Sequence, residues 1–428
     1  MNWQDIKIKF SSQGAFAKNS AVLFAGGLMV NVFNYVFHLI IGRQVSAEVY
    51  GEAESLISLI AIISVPAATL TMVATKYAAS CKAEDNAGGS GEILGYLNKK
   101  VFKYGFPIFL LAVIATPFIG KFLNVNSSFA LILIWISMYV SFFNAVNSGL
   151  LSGWQKFTQT SLASVISTGV KFVFGVALVG FGFALNGIVG SLVLATLSGY
   201  VATLMFLKSS VMKKSSQEIQ CEKSVDLKAL KHYVMPVFAG SLAVNILGYA
   251  DMVLAKHSLD ASVAGQYGAL TVASKIIFFA TGVMASVLFS MSSENSHKGA
   301  SSRHIFQTAL ALVVLASSFV TAVYFFYPGV ILNILFGGKY QETAPLLGWF
   351  AVVVALFSVS NIIYQYLLSL HKTKISYVFL VIALVALASF IFFGKSIISM
   401  LVINIVAQAV AILAGIYFLI IQTQSRKS

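Results

Sequence analysis

The sequence FAGGLMVNVFNYVFHLIIGR at residues 24–43 recurs without a gap as FAGSLAVNILGYADMVLAKH at residues 238–257. The two copies start half a chain length apart in a chain of 428 residues. After a short insertion the match resumes, because Tyr50-Gly51 corresponds to Tyr267-Gly268 and Ser58 to Lys275. Both copies lie in apolar stretches, which predicts an internally duplicated membrane protein. Such duplication places a pathway between two halves and favours transport over chemistry.

The composition also indicates a membrane protein. Hydrophobic residues make up 58% of the chain and charged residues 10%, whereas soluble domains carry about 25% charged residues. Apolar runs long enough to cross a bilayer recur along the whole chain. The first of them extends to Ile41, which is too long for the apolar region of a cleavable signal peptide. We therefore expect a multi-pass protein that keeps its first helix.

Hydropathy predicts an all-α polytopic fold of about 12 transmembrane helices. The predicted spans are 18–41, 55–75, 105–123, 129–151, 162–181, 184–207, 233–254, 267–290, 305–327, 345–370, 375–393 and 397–421. Six spans per half is an even number, so the halves are parallel repeats related by an axis along the membrane normal. The predicted units are an N-terminal six-helix lobe (1–207), a cytoplasmic linker (208–232) and a C-terminal six-helix lobe (233–428).

Charge placement orients this arrangement. Most of the 28 Lys and Arg residues fall in segments that are cytoplasmic if both termini are cytoplasmic. The predicted external segments carry five of them: Arg43, Lys121, Lys256, Lys339 and Lys395. This asymmetry follows the positive-inside rule. The formal net charge of +14 then reflects topology and contact with anionic lipid, and does not require nucleic acid as a partner.

Four predicted helices carry polar stripes that could line a hydrated cavity. Lys171 shares a helix face with Ser164, Thr168 and Gly175, and Lys275 shares one with Thr271. Similar stripes are formed by Asn31, Asn34 and His38 in the first span and by Ser241, Asn245 and Gly248 in the seventh. Ionisable groups are costly inside a bilayer, so they normally face the bundle interior or water.

The charges of these stripes favour an anionic substrate. Lys171, Lys275 and the titratable His38 are embedded, with Arg43 and Lys256 at the outer rim, against Asp251 as the single embedded acid. Other interpretations stay open. Asp251 and Lys275 lie at similar predicted depths and could form a structural ion pair. The asparagines could simply join helices by hydrogen bonds, as buried asparagines often do. His38 could lie merely at the membrane interface. Lys171 has no predicted acidic neighbour at its depth, which favours a functional role.

The chain lacks the sequence signatures of a soluble catalytic or nucleotide-binding domain. No Walker sequence, dinucleotide glycine fingerprint, metal-spaced His/Cys cluster or nucleophile elbow is present. Cys81 and Cys221 fall in predicted cytoplasmic loops, where thiols stay reduced. We therefore expect no enzymatic activity, no catalytic residues, no metal and no cofactor.

Several short motifs resemble those of polysaccharide-transport flippases. They are Lys18-Asn19, Gly42-Arg43 followed by Tyr50-Gly51, Lys76-Tyr77-Ala78, and Asp251 followed by Ala264-Gly265-Gln266-Tyr267. Together with the length and the repeat, they make the chain similar to the Wzx-type O-antigen and capsule exporters of the multidrug/oligosaccharidyl-lipid/polysaccharide (MOP) superfamily, whose fold is MATE-like. Pro66 departs from the pattern, because such proteins more often carry glycine there.

The resemblance implies a bacterial inner-membrane flippase that works by alternating access. Its substrate would be a polyprenyl-pyrophosphate-linked oligosaccharide, and its other partners would be membrane lipid, a polysaccharide polymerase and chain-length machinery. Lys171 and Lys275 would contact the pyrophosphate, Arg43 and Lys256 would assist at the outer mouth, and Asn31, Asn34 and Asn245 would hold sugars. For the coupling, three alternatives stay open: Asp251 or His38 could bind sodium or a proton, or the membrane potential could act on the charged cavity. The sugar composition and the coupling ion stay open.

Three other functions remain. A cation-coupled multidrug exporter has the same architecture but calls for embedded carboxylates. A lipid II flippase moves a similar substrate, and those proteins usually have two further helices. A membrane glycan polymerase, from a different class, would need a large catalytic external loop, and the predicted external loops are short.

Overall fold

A computed structural model of the chain describes residues 3–83, 87–212, 227–297, 303–370 and 372–425. It is built from α-helices joined by short turns. The first half contains α1 (Trp3–Gln44), α2 (Ala47–Ile63), α3 (Val65–Ala83), α4 (Ala87–Lys100), a π-helical turn (Val101–Gly105), α5 (Phe106–Ile114), α6 (Thr116–Phe122), α7 (Ser128–Gly153), α8 (Phe157–Gly180) and α9 (Ala184–Ser210). The second half contains α10 (Leu227–Ser258), α11 (Ala261–His297), α12 (Arg303–Phe326), α13 (Pro328–Phe336), a 3₁₀ helix (Gln341–Leu346), α14 (Leu347–Ser369), α15 (Lys374–Phe393) and α16 (Ile397–Ser425).

The all-α membrane fold expected from the sequence is confirmed. The described residues include 10 helices that are long and apolar enough to cross a membrane, and 11 if the bent pair Gly89–Ile114 and Thr116–Phe122 is one span. The remaining predicted span, 267–290, lies within the 37-residue helix α11. Each predicted span therefore falls on a helix or a bent pair of helices.

Two spans of the first half are broken near prolines. The second span divides at Ser64 into α2 and α3, two residues before Pro66. The third bends by 57° where α5 gives way to α6, whose Pro117 lies in its first turn. Proline lacks the N–H that an inner helical position donates, so helices bend or restart at such residues.

The two halves pack their helices in the same pairs. In the first half α1 packs on α8, α3 on α7 and α7 on α9, and in the second half α10 packs on α15, α11 on α14 and α14 on α16. The repeat glycines Gly26 and Gly240 take similar roles: a Cβ on Gly26 would overlap Ser161 of α8, and one on Gly240 would overlap Tyr364 of α14 and Ser376 of α15, the counterpart of α8. This pairing is what a parallel duplication predicts. The lobe boundaries themselves stay a prediction, and most of the linker, 213–226, lies outside the described residues.

The halves meet where α1 and α10 end. There α2 of the first half packs against α10 and α11 of the second, and α1 contacts α11 and α13. We call this contact surface the seam. Charge asymmetry along the chain predicts that it faces outward. Of the two cysteines, Cys81 is buried in α3 and Cys221 lies outside the described residues.

Candidate functional site

Lys171 lies against the first helix. Its Nζ donates a hydrogen bond to Oδ1 of Asn34 and lies 4.5 Å from the ring centre of Phe37. Both partners belong to α1. A ring face attracts a desolvated cation, and the amide oxygen is an acceptor that carries no charge. The contact therefore stabilises the ammonium group without neutralising it.

Glu54 is a second embedded acid, so the expectation that Asp251 stands alone was wrong. Its side chain is 3% exposed, and its Oε1 lies 2.6 Å from Nδ1 of His38, whose side chain is 11% exposed. Lys171 and Lys275 also lie within electrostatic range of the Glu54 carboxylate. Lys171 therefore does have an acidic neighbour, and His38 lies inside the bundle rather than at an interface.

Asp251 and Lys275 line one small cavity of about 30 Å³, together with Tyr249, Thr271 and Asn404. Oδ2 of Asp251 accepts hydrogen bonds from the Tyr267 hydroxyl at 2.8 Å and the Asn404 amide at 3.0 Å, while Oδ1 has no hydrogen-bond partner among the described residues.

Lys275 takes a different contact in that cavity. Its Nζ lies 4.5 Å from the ring centre of Tyr249. The two charged side chains are both described and do not come within ion-pairing distance of each other. They thus share a polar cavity without the direct structural bridge that the sequence left open, and the free Asp251 oxygen is available to an ion or water.

The predicted asparagines take different roles. Asn31 donates a hydrogen bond of 3.4 Å to the carbonyl oxygen of Phe279, which joins α1 to α11 across the halves. Asn245 donates to the carbonyl oxygen of Ser241 within its own helix, at 2.9 Å. Of Asn31, Asn34 and Asn245, it is Asn34 that contacts a predicted substrate-binding lysine, Lys171, in the described part of the chain.

Arg43 takes part in the seam. Its Nε donates to the carbonyl oxygen of Leu335 at 3.0 Å and its Nη2 to that of Ile334. In return, Lys339 donates to the carbonyl oxygens of Arg43 and Val45, the latter at 3.0 Å. Each cation thus satisfies the free carbonyl groups at the end of a helix of the other half.

A second set of contacts joins the halves at the same end, around His257, and we call it the His257 clasp. His257 occupies the place of Arg43 in the second copy, and its ring stacks on Phe122 with centroids 4.0 Å apart. Its Nδ1 lies 2.6 Å from the Phe122 carbonyl oxygen. Asn124, in the left-handed conformation at φ 48°, donates to the carbonyl oxygens of Lys256 and His257 at 3.4 and 3.3 Å. The seam is therefore held twice, by related elements of the two halves.

Lys256 also belongs to the seam. Its side chain is 1% exposed and its Nζ lies 3.8 Å from Oε1 of Glu52, on α2 of the other half. Arg43 and Lys256, which were expected at the outer mouth, are thus occupied with contacts between the halves in this conformation.

The charges of the embedded Lys, Glu and Asp side chains balance. When ionised, Lys171 and Lys275 carry two positive charges, and Glu54 and Asp251 carry two negative ones. Within the described ranges, no three His, Cys, Asp or Glu side chains come together as metal ligands would. The site therefore contains two lysine cations, whose direct contacts are with aromatic rings and the Asn34 amide. The two acids, Glu54 and Asp251, come from different helices. Such a site can exchange its internal ionic partners for those of a ligand.

The fold is shared with a class of known membrane proteins. It is that of MOP superfamily transporters: an inward-facing MATE family multidrug resistance transporter aligns over 95% of this chain and 99% of its own, with a TM-score of 0.71 and 14% identity. An outward-facing structure of a MATE family transporter aligns with a TM-score of 0.65 and 15% identity, over 96% and 97% of the two chains. A MOP superfamily transporter from Pyrococcus furiosus, described as having a binding pocket of reversed polarity, aligns with a TM-score of 0.65 and 15% identity over 93% and 94%.

The family is narrower than the fold. Residues 101–345 match the family described as "Polysaccharide biosynthesis protein", and the chain belongs to that family. It is also 28% identical to the uncharacterized membrane protein MJ1068 of Methanocaldococcus jannaschii in an alignment of 262 positions that covers 56% of this chain and 50% of the relative. The chain thus spans about half the length of that curated relative. Family and fold together describe a multi-pass membrane protein of polysaccharide biosynthesis with the architecture of MOP superfamily transporters.

Proposed function

We propose that the protein is a Wzx-type flippase that moves polyprenyl-pyrophosphate-linked oligosaccharide units across the bacterial inner membrane for surface polysaccharide synthesis. The observation that carries the proposal is the pair Lys171 and Lys275, embedded between the halves of a polysaccharide biosynthesis family member. A pyrophosphate is a dense anion that hydrocarbon excludes. Because the two lysines belong to different halves, they can stay in contact with the pyrophosphate while the halves change between the inward-open and outward-open states.

The division of roles follows from the contacts. Lys171 and Lys275 would bind the pyrophosphate, and neutral groups such as Asn31, Asn34 and Asn245 would face the sugars when the cavity opens. Arg43 and Lys256 would become available at the outer mouth once the seam separates. The lipid chain would stay in the bilayer. Partners would then include membrane lipid, the polymerase that joins the units and the machinery that sets chain length.

Asp251 and His38 are the candidate ion-coupling residues. The unpartnered Oδ1 of Asp251 favours a small cation there, and the contact of His38 with Glu54 favours a proton. Transport assayed in vesicles with a sodium gradient alone, then with a pH gradient alone, separates the two. Asp251→Asn should abolish only the sodium-driven component, and His38→Gln only the proton-driven one.

The test of the substrate is mass spectrometry of polyprenyl-linked lipids from cells with and without the protein. We expect a pyrophosphate-linked oligosaccharide to accumulate on the cytoplasmic side when the protein is absent, with less surface polysaccharide. Lys171→Gln or Lys275→Gln should cause the same accumulation at normal membrane levels. Normal export by both variants would contradict the assignment of these lysines.

A second candidate is a cation-coupled multidrug exporter. Glu54 favours it, because a second embedded carboxylate gives an organic cation more to bind than Asp251 alone. An unchanged lipid pool together with altered sensitivity to cationic drugs would support this function and exclude the flippase.

A further inference from the structure

The seam brings α2 and α11 into backbone contact beside Glu54. A Cβ on Gly265 of α11 would lie 1.9 Å from the carbonyl oxygen of Ala47, and one on Gly51 of α2 would lie 2.8 Å from the Gly265 nitrogen. Small residues allow such close approach between membrane helices. The Glu54 side chain leaves α2 at this crossing, where its Cβ and Cγ lie 3.4 Å from the place of a Cβ on Gly268.

The repeat gives the two crossing helices opposite charges. The register that pairs Tyr50-Gly51 with Tyr267-Gly268 also pairs Glu54 with Thr271 and Ser58 with Lys275. The first half thus brings an acid to the crossing, and the second half brings a cation one helical turn further along. Glu54 and Lys275 lie on the two helices that cross here, so an attraction between their charges acts between the halves. His38 and Lys171, in contrast, belong to the same half as Glu54.

Two unsatisfied hydroxyl groups lie near these charges along the two helices. The hydroxyl groups of Ser58 and Thr271 are buried and have no hydrogen-bond partner within the described part of the chain. An unpaired buried polar group costs about 1 to 3 kcal/mol. These hydroxyls lie one helical turn from Glu54 and from Lys275 respectively, and are therefore suited to a polar ligand that enters between Glu54 and the lysines.

We propose that Glu54 is the built-in counter-anion of Lys171 and Lys275, and that the diphosphate of the substrate takes its place. This inference rests on the proposed function. A diphosphate that pairs with both lysines removes the attraction of Lys275 for Glu54 across the seam. Glu54 keeps His38 as its partner, so no charge is left alone in the interior. Substrate binding thereby favours separation of the halves at the seam, and the open seam in turn favours binding.

The experiment measures a distance across the seam. Lys121 and Ser258 are exposed near the ends of α6 and α10, in opposite halves. Both are changed to Cys and spin-labelled in a Cys81→Ala, Cys221→Ala background, in lipid nanodiscs. Distances are recorded with and without farnesyl diphosphate, and binding of this probe is measured separately. The probe should raise the open population about tenfold in the starting protein. In the Glu54→Gln variant, the open population should already be as high without the probe, and adding the probe should raise it by less than twofold.

Three further variants make the test specific. Glu54→Asp keeps the charge and should restore the response to the probe. Lys275→Met removes the other end of the attraction and should also open the seam without the probe, which keeps the proposal testable if Glu54→Gln does not fold. Glu52→Gln is the matched control: the loss of its seam ion pair also raises the open population without the probe, but Glu54 remains, so the probe should still raise the ratio of open to closed molecules about tenfold.

The outcomes separate the inference from the proposed function. If Glu52→Gln and Glu54→Gln behave alike, Glu54 is only a seam residue and the inference is overturned. If the probe binds but the seam stays closed, the inference fails and the flippase proposal stands. If neither the probe nor a longer polyprenyl diphosphate binds, both fail.

Discussion

Arg43 and Lys339 cap each other's helices across the two halves. Arg43, at the end of α1, donates to the carbonyl oxygens that end α13, while Lys339, just beyond α13, donates to those that end α1. The free carbonyl groups of a helix end carry partial negative charge, which a cation stabilises. The contact is therefore reciprocal, and neither helix end is satisfied when the halves separate here.

Removing both caps should loosen the seam. We expect Arg43→Gln with Lys339→Gln to raise the open population about three- to tenfold, because each of these two exposed cations contributes about 0.3 to 0.7 kcal/mol to the closed seam. The spin-label distance between positions 121 and 258 measures this. Lys395→Gln removes another predicted external cation and should leave the distance unchanged; a shift of equal size would attribute the effect to net charge.

Fixing the seam should stop transport. Lys121→Cys with Ser258→Cys, bridged by a bifunctional thiol reagent in the Cys81→Ala, Cys221→Ala background, ties α6 to α10 next to the His257 clasp. Alternating access requires these ends to part, so export should fall to the level of cells without the protein. A monofunctional reagent on the same variant should not reduce export. Export that continued after complete bridging would exclude separation at this seam.

Gly265 should be intolerant of a side chain. A Cβ there meets a backbone carbonyl oxygen at 1.9 Å, and backbone cannot rotate away as a side chain can. We expect Gly265→Ala to cost about 1 to 3 kcal/mol through overpacking and to lower the melting temperature in detergent. Gly27→Ala, where the Cβ has nothing within 4 Å, should leave it unchanged or raise it. Equal effects of the two changes would mean that α2 and α11 do not touch as described.

A carboxylate at position 34 should neutralise Lys171. Asn34→Asp keeps the size of the side chain and the contact with the ammonium group but adds a negative charge, which competes with an anionic substrate. We expect export to fall more than tenfold, at normal membrane levels, whereas Asn34→Ala should lower it only a few fold. Quantification of accumulated lipid-linked oligosaccharide measures both, and an unimpaired Asn34→Asp variant would mean that Lys171 does not bind the anion.

The sequence predicts the helices well because a bilayer imposes length and apolarity on each span. It predicts charges poorly where a helix extends past its apolar run. Hydropathy began the second span at 55, so Glu54 seemed to lie outside it, yet α2 begins at Ala47 and places Glu54 two turns inside. No apolar pattern reports that extension.

Contacts between the halves were also hidden from the sequence. The repeat identifies His257 as the counterpart of Arg43, but their shared role depends on helix ends from the opposite half, which no local pattern specifies. Lys256 was expected at the outer mouth because a cation near a span end usually reaches water. Its burial follows from the packing of α10 against α2, where Glu52 lies close enough to pair with it.

Glu52 and Lys256 allow a structural role to be separated from a role in binding. Removing one partner of a buried ion pair leaves the other charge uncompensated, which costs about 3 to 5 kcal/mol for a fully buried pair. Because Glu52 is 14% exposed and the atoms are 3.8 Å apart, we expect Glu52→Gln to cost nearer the lower value. Lys256→Met with Glu52→Gln removes both charges and should regain most of that stability, as measured by thermal unfolding in detergent.

If Lys256 serves only the seam, export by the double variant should recover with the stability. If Lys256 also binds the substrate at the outer mouth, as proposed above, export should stay low although the protein is stable. Recovery of both stability and export would contradict a role of Lys256 in substrate binding.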